Sequence, residues 1–293
     1  MPADGATAGK AAIRNARLLT APVIPTLIKL AAPNVALALL QALVSVADAY
    51  FIGKLGTEGL AGVALVFPLV ILMQMMSAGA MGGGVSSAIA RALGAGNTER
   101  AEKLAWHAAV IAMAMGLLLS LLVLTLGPAL YRVLGGKGAV LTHALDYSTI
   151  VFGGALTVCL ANILANVVRG TGNMKIPAAV LGGAALVQMP LCGALVLGFG
   201  PLPALGIRGA AVAYVLAFGV AACAFATYIV MGRTGLNVRR VWNSDNTFSK
   251  ALFNEILRVG VLSSFNAVQT IATAVIVTGD RKSTRLNSSH VSE

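Results

Sequence analysis

The sequence predicts an all-α polytopic membrane helix bundle, and three observations predict it. Of 293 residues, 58% are hydrophobic and only 11% are charged, against about 45–50% and about 25% in soluble proteins. Apolar runs long enough to cross about 30 Å of hydrocarbon, which takes about 20 helical residues, recur along the chain. The basic residues fall between those runs and favour one side of them. The excess of apolar residues excludes a disordered chain. Three scattered cysteines, Cys159, Cys192 and Cys223, exclude a disulfide scaffold. The net charge of +11 is not gathered on one stripe, so nucleic acid is not an expected partner; the lipid bilayer is.

The expected spans are residues 26–52, 60–85, 104–126, 147–168, 176–199, 210–231 and 251–279. Each is too evenly apolar to be a soluble amphipathic helix and lacks the alternation of a barrel strand. The first ends at Gly53-Lys-Leu-Gly56. The second ends before Gly94-Ala-Gly-Asn97, where Asn97 reads as an N-cap with Glu99 in the first turn of the third. Gly135-Gly-Lys-Gly138, Gly170-Thr-Gly-Asn173 and Gly200-Pro-Leu-Pro203 then separate the third to sixth. The chain thus divides into an N-terminal tail (1–25), a six-helix N-lobe (26–231), a polar interlobe linker (232–250) with Arg239, Arg240, Ser244, Asp245 and Asn246, and a seventh helix (251–279). Leu27-Ile-Lys-Leu-Ala31 and Ile256-Leu-Arg-Val-Gly260 share a pattern, as if a second, parallel unit opened at the seventh span. Residues 280–293, opening Asp280-Arg-Lys-Ser-Thr-Arg, resemble one frame of a sequencing-library adapter and are set aside as an artefactual tail.

Orientation follows from the basic residues. Lys54, Arg132, Lys137 and Arg208 fall on one side, whereas Lys10, Arg14, Arg17, Lys29, Arg91, Arg100, Lys103, Arg169, Lys175, Arg233, Arg239, Arg240 and Lys250 fall on the other. The positive-inside rule therefore predicts a cytoplasmic N-terminus in a cell membrane, in a bacterium the inner one. Residues 1–25 lack the apolar core of a removable signal peptide.

Enzymatic signatures are missing. Gly136-Lys137 has Tyr131 where a phosphate-binding loop needs glycine, and His107, His143 and His290 form no zinc-ligand pattern, so no catalytic residue, metal or cofactor is expected. Gly94-Ala-Gly96 follows a span rather than a strand, which argues against a dinucleotide site, and Gly82-Gly-Gly84 suits close helix packing. The informative residue is Asp48, an acid inside an apolar run. An aspartate at a helix centre costs about 2.5–3.5 kcal/mol on insertion scales, so its retention calls for a partner, a proton or a cation. Asp48 is the candidate cation-coupling residue, whereas Asp146, at the start of the fourth span, is expected among headgroups. Gln41, Ser45, Asn162, Asn166, Gln188 and Tyr214 are candidates for a cation or substrate cavity. Interhelical bonding is the alternative for the amides. Pro33, Pro68 and Pro190 interrupt spans and are expected to bend them around a cavity. Met73, Met75, Met76 and Met81 either face an apolar ligand or fill the core.

Several segments, in order, carry a resemblance. Leu30-Ala-Ala-Pro33, Asp48-Ala-Tyr-Phe-Ile-Gly-Lys-Leu-Gly56 with Leu60-Ala61, Ala90-Arg-Ala-Leu-Gly-Ala-Gly96 leading into Glu99-Arg-Ala101, Arg169-Gly-Thr-Gly-Asn173 with Pro177, and Gly206-Ile-Arg-Gly-Ala-Ala211 resemble the multidrug and toxic compound extrusion (MATE) transporters. The resemblance implies a twelve-helix antiporter of two six-helix lobes, of which this chain holds the first lobe and one helix of a truncated second. It also implies export of organic cations or other amphipathic compounds against protons or sodium, with Asp48 at the family's first-helix coupling acid. Gln188 and Cys192 stand where some members have Asn and Asp, and Tyr214 replaces a common Thr. Those departures remove oxygen ligands and tilt the expected coupling ion from sodium to protons. No obligate protein partner is evident. A flippase for lipid-linked precursors is the nearest alternative, but it predicts several intramembrane basic residues. A seven-helix receptor predicts an external N-terminus.

Overall fold

The structure, a computed structural model, describes residues 22–199, 203–237 and 249–289. Most of the expected N-terminal tail, residues 238–248 of the linker and the last residues of the tail lie outside the described residues. The described residues form helices and no strand: α1 (Val23–Gly53), α2 (Thr57–Gln74), a π-helical stretch (Met75–Met81), α3 (Gly82–Gly94), α4 (Thr98–Val133), α5 (Gly138–Gly153), α6 (Ala155–Gly170), α7 (Lys175–Leu197), α8 (Ile207–Val230) and α9 (Lys250–Ser289). By length and composition α1, the continuous α2–π–α3 rod, α4, α7 and α8 can each cross a membrane, and the bent pair α5–α6 gives a sixth when taken as one span. The expected seventh span falls within α9, which is not among the described helices that pass this test. The chain is a multi-pass membrane protein.

Local chemistry sets the boundaries. Asn97 caps α4 by accepting from Arg100 N at 2.9 Å, with Glu99 in its first turn and Lys103 paired to Glu99 at 2.8 Å. The expected fourth span is longer than predicted and broken, with α5 and α6 meeting at 49° around Gly154. A Cβ on Gly154 would collide with Val215, so glycine there lets α8 into the elbow. Pro33, Pro68 and Pro190 all lie inside helices that continue past them.

Helix α6 is the hub, buried on almost every side and packed against α3, α4 and α8. Small residues bring backbones together there: a Cβ on Gly116 would approach Leu156 Cα to 2.5 Å. By contrast α1 rests chiefly on α7 and turns Leu39, Leu43, Val46 and Tyr50 outward, the pattern of a lipid-facing helix. Helix α9 packs on the π stretch and α3, with Ile256 fully buried. Its Glu255 accepts from Arg91 at 3.2 Å and from Arg100 at 2.7 Å. Beside that contact, Ser249 N donates to His107 Nε2 at 3.1 Å and Asn237 N donates to Glu102 at 2.7 Å. Asp146 pairs with Arg208 at 2.7 Å and ties α5 to α8.

Candidate functional site

Asp48 lies a little over one turn before the end of α1 and is half-buried against α7. Gln188 Nε2 donates to Asp48 Oδ2 at 3.0 Å. Cys192, one turn further along α7 and so on the same face, sets its thiol beside the same carboxyl group. The other oxygen, Oδ1, is buried without a partner in hydrogen-bond geometry. Helix α1 comes this close because Gly193 has no side chain: a Cβ there would sit 2.8 Å from Cζ of Phe51.

A second polar group forms where α2 passes into the π stretch. Gln74 Nε2 donates to Tyr214 Oη at 2.8 Å, and Gln74 Oε1 accepts from Asn162 Nδ2 at 2.6 Å. Asn162 also donates to Ser77 Oγ at 2.9 Å. Asn166 donates to Ala78 O at 3.1 Å and to Asn162 O at 2.9 Å, and a Cβ on Gly82 would overlap its amide. The wider π turns, a device that recurs at functional sites, thus meet the two asparagines of α6.

Both groups border one partly open cavity of about 600 Å³ lined by α1, α2, the π stretch, α5, α6, α7 and α8, within the ~300–1,000 Å³ range of small-molecule sites. Asp48, Gln41, Ser45, Asn162, Gln188 and Tyr214 line it together with apolar residues such as Phe67, Val70 and Phe218. Ser45 spends its hydroxyl on Gln41 O of its own helix at 3.0 Å. Asn166 does not line the cavity but supports it from behind. None of Pro33, Pro68 and Pro190 lines it either, and of the four methionines only Met75 does. Met73 and Met81 are core, Met81 lying against Gly260 of α9. Sequence reading missed Gln74, Tyr147 and Arg169, which also line the cavity. A mid-span glutamine was the available signal for the first, whereas Arg169 had been absorbed into the orientation count. Among the described residues no group of three or more His, Cys, Asp or Glu could hold a metal ion.

Residues 33–193 match the family model described as MatE. The chain belongs to the MatE family. It is 28% identical over 261 residues to a protein of Shewanella oneidensis named FAD transporter, covering 89% of this chain and 57% of that one. It is 30% identical over 267 residues to the probable multidrug resistance protein NorM of Thermotoga maritima, covering 87% and 56%. Among solved structures it superposes on a MOP superfamily transporter from Pyrococcus furiosus, described as having a binding pocket of reversed polarity, with a TM-score of 0.75 at 28% identity, over 82% of this chain and 52% of that one. The chain thus spans about half the length of the MatE relatives it matches, and those relatives are transporters, not enzymes.

Proposed function

We propose that this chain is the N-terminal half of a secondary antiporter that exports organic cations or other amphipathic small molecules in exchange for protons, with Asp48 as the coupling residue. The observation that carries this reading is a membrane carboxyl group bordering a substrate-sized cavity with Oδ1 buried and unpartnered. A buried polar atom without a partner is costly, and a proton on Oδ1 supplies the simplest relief. The named partners of the carboxyl are an amide NH and a thiol; sodium would need several oxygen ligands, and this favours protons. The relatives named FAD transporter and multidrug resistance protein support a small-molecule cargo. Residues 26–231 form the N-lobe in this reading, 232–250 the link and 251–279 the first helix of the second lobe, with the N-terminus cytoplasmic in the cell membrane.

Alternating access follows from differential affinity. A proton or substrate shifts the two arrangements only as far as it binds them unequally. Helix α1 is suited to move because it holds to the bundle mainly through α7. Loss of the proton strengthens acceptance from Gln188 and draws α1 onto α7. Gain of the proton weakens it, and bound cargo leaves outward. The flippase alternative fits less well, because among the described residues Arg169 is the only basic one lining the cavity. In inside-out vesicles holding a full-length relative whose matching half is replaced by this chain, Asp48→Asn abolishes proton-driven export at unchanged expression. Unchanged export in that variant refutes the assignment.

A further inference from the structure

Arg169 carries an inference of its own. It sits in the last turn of α6, seven residues after Asn162 and so on the same cavity-lining face. It is half-buried, and its Nε is fully buried with no hydrogen-bond partner. Every ion pair among the described residues involves other side chains. Among the described residues Asp48 is the only acid lining the cavity, and it lies at the opposite end: two crossings separate α1 from the α5–α6 pair, so with that pair taken as one span the end of α1 and the end of α6 face opposite sides of the membrane. Leu37 and Ile52 both line the cavity, fifteen residues apart on α1, so it runs about 22 Å at about 1.5 Å per residue. A guanidinium that borders a cavity near the membrane face, with its Nε buried and unpartnered, favours an anion in that cavity.

We propose that Arg169 is an anion-recognition residue and that the cavity takes amphipathic ligands carrying a phosphate or carboxylate at the end remote from Asp48. A guanidinium presents a planar fork matched to both groups, and its hydrogen bonds to them are charge-assisted. The proposal rests on the cavity being the cargo site and names the chemistry of one end of that cargo. The phosphate has two possible sources, a soluble ligand or a lipid headgroup.

The test is binding to the purified 293-residue chain in detergent, by isothermal titration with three probes: 1-naphthyl phosphate, dihexanoyl phosphatidylglycerol and the cation tetraphenylphosphonium. Arg169→Gln weakens the phosphate probes about tenfold or more, the loss expected of a charge-assisted bond. Arg169→Lys retains part of the affinity, whereas tetraphenylphosphonium, a cation like the guanidinium, binds Arg169→Gln no more weakly than the wild type. Arginine-dependent binding of naphthyl phosphate identifies a soluble ligand, and of the phosphatidylglycerol alone a headgroup; both support the site. Absence of phosphate binding by the wild type, or equal binding by Arg169→Gln, overturns it. An acid brought to Arg169 by another segment would produce that second result. Failure of the cation alone to bind, with the phosphates still dependent on Arg169, counts against the proposed cation export and leaves the anion site standing.

Discussion

Gln188 donates one hydrogen bond to Asp48 Oδ2, while Oδ1 stays buried without a partner in hydrogen-bond geometry. A hydrogen bond to a charged group contributes about 1.5–3 kcal/mol, so Gln188→Leu is expected to slow proton-coupled export about tenfold or more, whereas Gln188→Asn, shorter but still a donor, loses less. Initial rates of export in vesicles check this. Asn162 is a different case, since it joins Gln74 and Ser77 and so ties α6 to the π junction. Interhelical hydrogen bonds in membranes contribute about 0.6–2 kcal/mol. Asn162→Leu is therefore expected to lower thermal stability in detergent by about 1 kcal/mol, read from the unfolding midpoint. The sequence singled out Asp48, Gln188 and Asn162 because polar groups in apolar runs are costly and therefore conspicuous, and Tyr214 because the resemblance places a Thr there. Arg169 escaped the same reasoning because a basic residue near a span end is also what orientation requires.

At the scale of the helix, the break at Gly154 is the feature hydropathy could not reveal. An apolar run reads the same whether it is straight or bent, and the bend needs no proline, only a glycine where Val215 enters. Gly154→Val is expected to cost about 1–3 kcal/mol by overpacking, whereas Gly153→Ala, with nothing within 4 Å of its Cβ, leaves the unfolding midpoint nearly unchanged. The π stretch was hidden for a related reason: Met75–Met81 has the composition of any membrane helix, and only its register against Asn162 and Asn166 distinguishes it. Helix α9 is held differently. Its Glu255 lies partly in solvent, with 21% side-chain exposure, between two arginines that are themselves exposed. Such pairs contribute about 0–1 kcal/mol. Glu255→Gln is thus expected to raise amide hydrogen exchange over residues 250–260 by about fivefold or less without moving the global midpoint.

For the molecule as a whole, the order of the first six apolar runs was legible because bilayer thickness fixes the length of each, whereas the expected seventh is not among the described helices long and apolar enough to cross. The cavity was not legible, since it exists only where six helices from distant parts of the chain face one another. Membership of the MatE family underlies the proposal of transport, and the cavity is the proposed place for cargo beside an acid. Coupling then requires that cargo and proton compete through α1. The most direct measurement is proton exchange in weakly buffered detergent solution, read with a pH indicator as cargo is added to a full-length transporter containing this half. The account predicts that the protein with Asp48 exchanges protons with the solution on binding cargo and that Asp48→Asn, binding the same cargo, exchanges none. Equal exchange in both proteins, or none in either, would contradict it.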